Sequence, residues 1–205
     1  MGFYSNFIVP WGLEWAMSDP TFTQYRQAIL ADVYGEVLEI GVGTGLNLPY
    51  YPTEVRRLTM IEPNAGMNRF LQKRIEASPL SINYQILNGE KLPMQDNYFD
   101  CVVSTWTLCS IAQVDQAISE IYRVLKPQGK FFFIEHGLSK DPTVQVWQNR
   151  LTPLQKLIAD GCHLNRPIIN LVSEQFKTIS LKEFYVPNVS KILGYMYQGV
   201  AIKSD

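Results

Sequence analysis

Apolar and polar positions along this chain alternate between two rhythms. Glu36 to Ile40, Arg57 to Ile61, Ile82 to Leu87, Phe99 to Thr105 and Lys130 to Glu135 are short runs rich in β-branched and aromatic residues. They predict five strands. Helical spacing lies between them, over Ala65 to Ala77 (Met67, Phe70, Leu71, Ile75) and over Val114 to Leu125 (Ile118, Ile121, Val124, Leu125). Lys126-Pro127-Gln128-Gly129 stops the second of these helices. Val144 to Ile158 is expected to be helical with a break at Pro153. Lys177 to Val186 and Gly194 to Ile202 complete the count as two more strands, antiparallel neighbours at a sheet edge. Ahead of the first strand, residues 1–34 space Phe3, Phe7, Trp11 and Trp15 four apart, so short helices broken at Pro10 and Pro20 are expected there. Strands alternating with helices predict one α/β domain over residues 1–205, with a seven-stranded, mostly parallel sheet covered by helices on both faces.

The first strand carries the most informative chemistry. Val37-Leu38-Glu39-Ile40 runs straight into Gly41-Val42-Gly43-Thr44-Gly45. Closely spaced glycines let a backbone turn sharply and approach a ligand with no Cβ in the way, although a plain tight turn uses the same residues. Context separates the two. Glu62 closes the next strand 21 residues after Gly41, where an acid can accept bonds from ribose hydroxyls. A dinucleotide loop needs Gly or Ala three residues after its second glycine, and that position is Leu46. The Gly-Lys-Ser/Thr of a triphosphate loop is missing too. The expected ligand therefore has a ribose and an adenine but no phosphate, which describes S-adenosylmethionine rather than NAD.

Four blocks then fall in order: Leu38 to Gly45; Met60-Ile61-Glu62-Pro63-Asn64; Gly89-Glu90-Lys91-Leu92-Pro93 with Asn97-Tyr98-Phe99-Asp100; and Glu120 to Lys130. Through them the chain resembles the Rossmann-like class I S-adenosylmethionine-dependent methyltransferases. Leu108-Cys109-Ser110, Ile134-Glu135-His136, Asp160-Gly161-Cys162-His163-Leu164 and the tail from Gly194-Tyr195 are similar to a narrower methyltransferase-like group that includes the eukaryotic thiol S-methyltransferases. Lys91 stands where those members commonly carry an acid, and the amino-terminal membrane anchor of the eukaryotic members has no counterpart here.

The resemblance gives each candidate residue a role beside a plainer one. Gly41, Gly43 and Gly45 would bring the backbone to the methionine end of the cofactor, and Glu39 would bind its amino group, directly or through water, or else be a strand-end charge. Glu62 would hold the ribose or cap a helix, with Pro63 and Met67 flanking the adenine. Gly89 and Glu90 would meet the adenine edge or form a surface turn. Thr105, Trp106 and Leu108 would line the floor beside the sulfonium, where Trp106 offers a cation–π contact or simply fills core. His136, ending the fifth strand, is the best-placed general base, the alternative being a histidine satisfied by backbone bonds. Cys109 could touch substrate or be an inert small hydrophobe, and Cys162-His163 suggests metal only weakly. The rings Phe3, Tyr4, Phe7, Trp11 and Trp15 form either a lid over an apolar acceptor or packing for the first helix. A small or apolar acceptor, first of all a thiol, is implied, with quinone, phenol or lipid acceptors, or a non-catalytic cofactor-binding module, as rivals.

Composition narrows the setting. With 46% hydrophobic and 18% charged residues the chain fills a core, and a formal charge of −1 leaves no footprint for nucleic acid. No apolar run is long enough to span a bilayer. Met1 to Leu13 lacks a basic leader, and Gly2 lacks the Ser or Thr of a myristoylation signal, Asn6 standing in its place. Three cysteines without a Cys-x-x-Cys pair point to a reducing, cytoplasmic setting and to no disulfide framework or zinc knuckle.

Overall fold

Side chains that alternate in direction and are buried on both faces build the sheet. In the first strand, β1 (Gly35–Ile40), Val37 faces one side with Ile29 and Leu30, while Leu38 and Ile40 face the other with Ile118 and Ile121. The computed structural model describes residues 3–205; the myristoylation reading at Gly2 lies outside the described residues. Six further strands follow: β2 (Val55–Ile61), β3 (Ile82–Gln85), β4 (Phe99–Thr105), β5 (Leu125–His136), β6 (Thr178–Tyr185) and β7 (Tyr195–Ile202). Their order is β3-β2-β1-β4-β5-β7-β6. β1 to β5 are all parallel, while β7 runs antiparallel between β5 and β6. The expected antiparallel pair thus forms one edge, with the later strand inserted inside the earlier.

Helices cover both faces. On one lie α2 (Pro20–Leu30) and α3 (Asn68–Glu76), packed on Leu58, Met60, Val103 and Phe132. On the other lie α4 (Val114–Val124) and α6 (Ile168–Gln175), packed on Val102, Phe131 and Phe133. Four elements differ from expectation: α6 has no counterpart among the expected helices, and β5 starts at Leu125, running through Lys126-Pro127-Gln128-Gly129 instead of beginning at Lys130. α5 (Pro142–Ile158) runs through Pro153 without a break, losing only the bond that its missing N–H cannot donate. β3 stops at Gln85, because Ile86 turns out to solvent.

Ahead of β1, a π-helical turn (Tyr4–Ile8), α1 (Val9–Met17) and α2 form the expected set of short helices. The prolines start helices here: Pro10 and Pro20 sit in first turns, and the Asp19 carboxylate caps α2 by accepting from the Thr21 N–H at 2.8 Å. The segment is pinned. Glu14 takes a two-pronged ion pair from Arg74, at 2.7 and 3.1 Å, and Arg69 stacks on Trp11. The Asn64 amide donates to the Ser5 carbonyl at 2.9 Å, and the Tyr4 hydroxyl donates to the Ile158 carbonyl at 2.9 Å. These contacts tie the segment to α3 and to the end of α5, above the carboxyl ends of the strands.

Candidate active site

Strand order reverses between β1 and β4, and in open α/β sheets the crevice beyond that reversal takes the ligand. A cavity of about 660 Å³ lies there, a size suited to a small-molecule ligand. Gly41 leaves β1 with φ +70°, and a Cβ at that position would run into Thr107. Gly43 has φ +55° and open space where its Cβ would be, so its backbone faces the cavity bare. Its N–H donates to Glu62 Oε2 at 2.9 Å, while Glu62 Oε1 accepts from the Asn64 N–H, also at 2.9 Å. A carboxylate has about four acceptor positions, so two remain for hydroxyls in the cavity. Burial pushes the Glu62 carboxyl above its ordinary value, and the two N–H groups oppose that rise.

Ten expected residues line the cavity: Gly41, Gly43, Glu62, Pro63, Met67, Gly89, Glu90, Thr105, Trp106 and His136. Trp106 holds φ +52°, a strained conformation for a bulky side chain, and its indole packs edge-on against Phe22. Three expected residues stand behind the wall. Glu39 is buried with its carboxylate accepting from Asn47 Nδ2 at 2.6 Å and from the Tyr51 hydroxyl at 2.9 Å, so it meets no ligand directly. Gly45, at φ +84°, shapes the turn against Leu71. Leu108 is core, its carbonyl accepting from Arg166.

The rings of the first segment also correct an expectation. Phe3, Phe7, Trp11 and Trp15 are exposed, Trp15 by 83%, and of the five only Tyr4 reaches the cavity. Val9, Gly12, Leu13 and Ala16 line it instead. Positions 9, 12, 13 and 16 share one helical face, and 11 and 15 share the opposite one.

Two participants gave no local signal. Arg26 is 4% exposed, lies 4.9 Å over the Trp106 ring, and is the only lysine or arginine on the cavity wall among the described residues. Asn47 lines the cavity, and its Oδ1 is buried without a hydrogen-bond partner while its Nδ2 is held by Glu39 and Thr105. A cation, an orphaned acceptor and an acid with spare lone pairs match the carboxylate, ammonium and ribose of an amino-acid-bearing nucleoside. S-adenosylmethionine fits these residues. At the far end, His136 lies 2.9 Å by its Nε2 from Cys162 Sγ, and its Nδ1 is buried without a partner. Backbone bonds therefore do not satisfy this ring.

Fold and cavity together are those of an α/β enzyme with a nucleoside-cofactor site at the switch point of its sheet. The methyltransferase domain family matches residues 38–133. Human thiol S-methyltransferase TMT1A is 33% identical over 172 residues, covering 82% of this chain and 70% of that protein. A demethylmenaquinone methyltransferase of Symbiobacterium thermophilum is 34% identical over 48% of this chain and 41% of its own length. Among solved structures, the N-methyltransferase NodS of Bradyrhizobium japonicum with S-adenosylhomocysteine superposes with a TM-score of 0.69 at 15% identity, covering 93% of this chain and 92% of that one. The chain belongs to the class I S-adenosylmethionine-dependent methyltransferases, in the group that includes the thiol S-methyltransferases. No helix among the described residues is long and apolar enough to cross a membrane.

Proposed function

We propose that this methyltransferase acts on a small, apolar thiol. The observation that carries the reading is the makeup of the wall beyond Trp106: Cys109, His136 and Cys162 set among Ile8, Ile158, Leu193 and Met196. That wall suits a soft, uncharged acceptor. A thiolate is already a strong nucleophile, so no elaborate base relay is required. When bound, S-adenosylmethionine supplies an electrophilic methyl group on a sulfonium. The protein's residues then position and desolvate.

Glu62, Pro63, Met67, Gly89 and Glu90 hold the adenosine end in this reading. Gly41, Gly43, Asn47 and Arg26 hold the amino-acid end, with Glu39 fixing Asn47 from behind and Gly45 shaping the loop. Thr105 and Trp106 flank the sulfonium over β4, and Leu108 supports that floor. Strand spacing of about 4.8 Å puts the end of β5 roughly 10 Å from that of β1, leaving the acceptor to sit between Trp106 and His136. In the metal-free protein His136 is the group placed to take the thiol proton as general base. Residues 4–17 act as the lid that keeps water out of the closed site. The three buried, unpaired cysteines support a cytoplasmic setting.

The test is formation of S-adenosylhomocysteine against a panel of alkyl and aryl thiols, phenols, quinols and lipid amines. Turnover of apolar thiols above the others is expected. Turnover of a quinol or phenol with no thiol activity would overturn the thiol reading, as the menaquinone relative's name allows.

A further inference from the structure

Cys109 follows β4, His136 ends β5, and Cys162 follows α5, yet their sulfur and nitrogen atoms all lie within 4.8 Å of one another. Cys109 and Cys162 Sγ are 3.6 Å apart, and Cys162 Sγ is 2.9 Å from His136 Nε2. Among the described residues this is the one such grouping of three histidine, cysteine or acidic side chains. Tetrahedral zinc, with Zn–S near 2.3 Å and Zn–N of 2.0–2.1 Å, spaces its ligands about 3.8 Å apart for S···S and about 3.5 Å for S···N. The sulfurs are already within about 0.2 Å of that spacing, and the imidazole has to withdraw by roughly 0.6 Å. Cys101, by contrast, is buried against the sheet's other face, away from the cavity.

We infer that Cys109, His136 and Cys162 form a zinc site whose fourth position opens into the cavity and binds the acceptor thiol. Two cysteines and a histidine leaving one open position is a ligand set found in catalytic zinc sites. All three side chains line the cavity wall, so an incoming thiol reaches that position directly. The role of the fourth position rests on the thiol reading of the acceptor. On coordination, while the cavity is still open, the thiol gives its proton to solvent water, and its sulfur keeps the electron pair. That pair forms the new S–C bond as the sulfonium's bond to the methyl carbon breaks, the second pair staying on the departing sulfur. The thioether product is neutral and a poor zinc ligand, so it leaves. His136 is then a ligand in the loaded enzyme, and the metal rather than the imidazole ionises the thiol.

The experiment loads the full-length protein with zinc, desalts it, and measures bound metal by mass spectrometry and free thiols by a colorimetric reagent. About one zinc per chain is expected, with two thiols protected. Cobalt in place of zinc should give thiolate-to-metal absorption and intense tetrahedral bands. Cys162→Ser and His136→Ala should each weaken zinc binding by more than tenfold, while Cys101→Ala retains it. Should either ligand variant fail to fold, the cobalt spectrum and thiol count of the unmutated protein still decide. No stoichiometric zinc together with no thiolate–cobalt absorption would overturn the site, as would a Cys109–Cys162 disulfide in fully active protein. Zinc bound without methylation of any thiol would leave the metal site standing and remove the thiol reading. Equal thiol turnover by zinc-free and zinc-loaded protein would overturn the proposed catalytic role of the site.

Discussion

Replacing Glu39 with glutamine should remove a pH dependence that this buried acid imposes on the fold. Its carboxyl is pushed up to about 7 by burial, against the opposing bonds from Asn47 and Tyr51. The folded protein therefore holds this proton more tightly than the unfolded chain, whose ordinary value is 4.5. The sign follows. The contribution is fully present below pH 4.5, is lost as pH rises through about 7, and is flat above. The rise from 4.5 to about 7 corresponds to roughly 3 kcal/mol, a large share of a domain's net stability. Glutamine keeps the shape: its oxygen still accepts from Asn47 Nδ2, and its amide can donate to the Tyr51 hydroxyl. Urea unfolding of both cofactor-free proteins between about pH 4.5 and about pH 8 isolates this group, because all others cancel in the difference. The gap between the curves should open by roughly 3 kcal/mol in favour of the glutamine variant as pH rises. Parallel curves would refute the reasoning. An ammonium docking on Asn47 should also expel the Glu39 proton, so cofactor affinity of the natural protein should rise with pH toward 7.

Other expectations are narrower. Glu62→Ala removes the acceptor for ribose hydroxyls and the anchor of the Gly43 N–H; at about 1.5–3 kcal/mol per charge-assisted bond, S-adenosylhomocysteine affinity should fall tenfold or more by calorimetric titration. Unchanged affinity in a folded variant would place Glu62 outside the site. Arg26→Met keeps the apolar contact with Trp106 but removes the one guanidinium on the cavity wall among the described residues, so affinity should again drop by at least about tenfold. A folded variant that binds normally would leave Arg26 a packing residue. Deleting residues 1–15 takes away the Glu14–Arg74 ion pair and the Tyr4, Val9 and Leu13 wall, so acceptor turnover should fall by more than about tenfold with a smaller loss of cofactor affinity. A folded truncation turning over at the full-length rate would reduce the segment to scaffolding.

How much of this was legible in the sequence depends on how locally each feature is encoded. β1, β2 and β4 are legible because each is a short apolar run buried on both faces, with breakers within a few residues of its end. α6 was missed: its eight residues follow Pro167 with too few turns to establish a rhythm. In the first segment the stripe of rings is plain in the sequence, but Phe3, Phe7, Trp11 and Trp15 face solvent and not the cavity. Large aromatic side chains outweigh Gly12 and Ala16 to the eye, yet the small face is the one that fits against a cavity. Arg26 had no local signal, since an arginine in a short helix is ordinarily solvated, and only the packing of α2 on the sheet at β5 buries it beside Trp106.

The glycine loop and the sulfur-imidazole cluster show the same division inside one site. Gly41, Gly43 and Glu62 are visible in sequence because the single crossover from β1 to β2, which holds only a 3-10 turn (Leu48–Tyr50), brings them together, and the distance along the chain is set by the length of that crossover. Cys109 and Cys162 are 53 positions apart, and no short motif joins them to His136. What joins them is topology. β4 and β5 are adjacent and parallel, so the loop after one and the last residue of the other end on the same rim. α5 then returns the chain to that rim, where the His163 N–H donates to the Cys109 carbonyl at 2.9 Å and fixes Cys162 opposite His136. A motif contained in one unit therefore reports the cofactor, which every enzyme of this class shares, while the acceptor is read by side chains that only the finished sheet assembles. The glycine loop thus identified the cofactor, while the acceptor chemistry rests on the geometry at the ends of β4, β5 and α5.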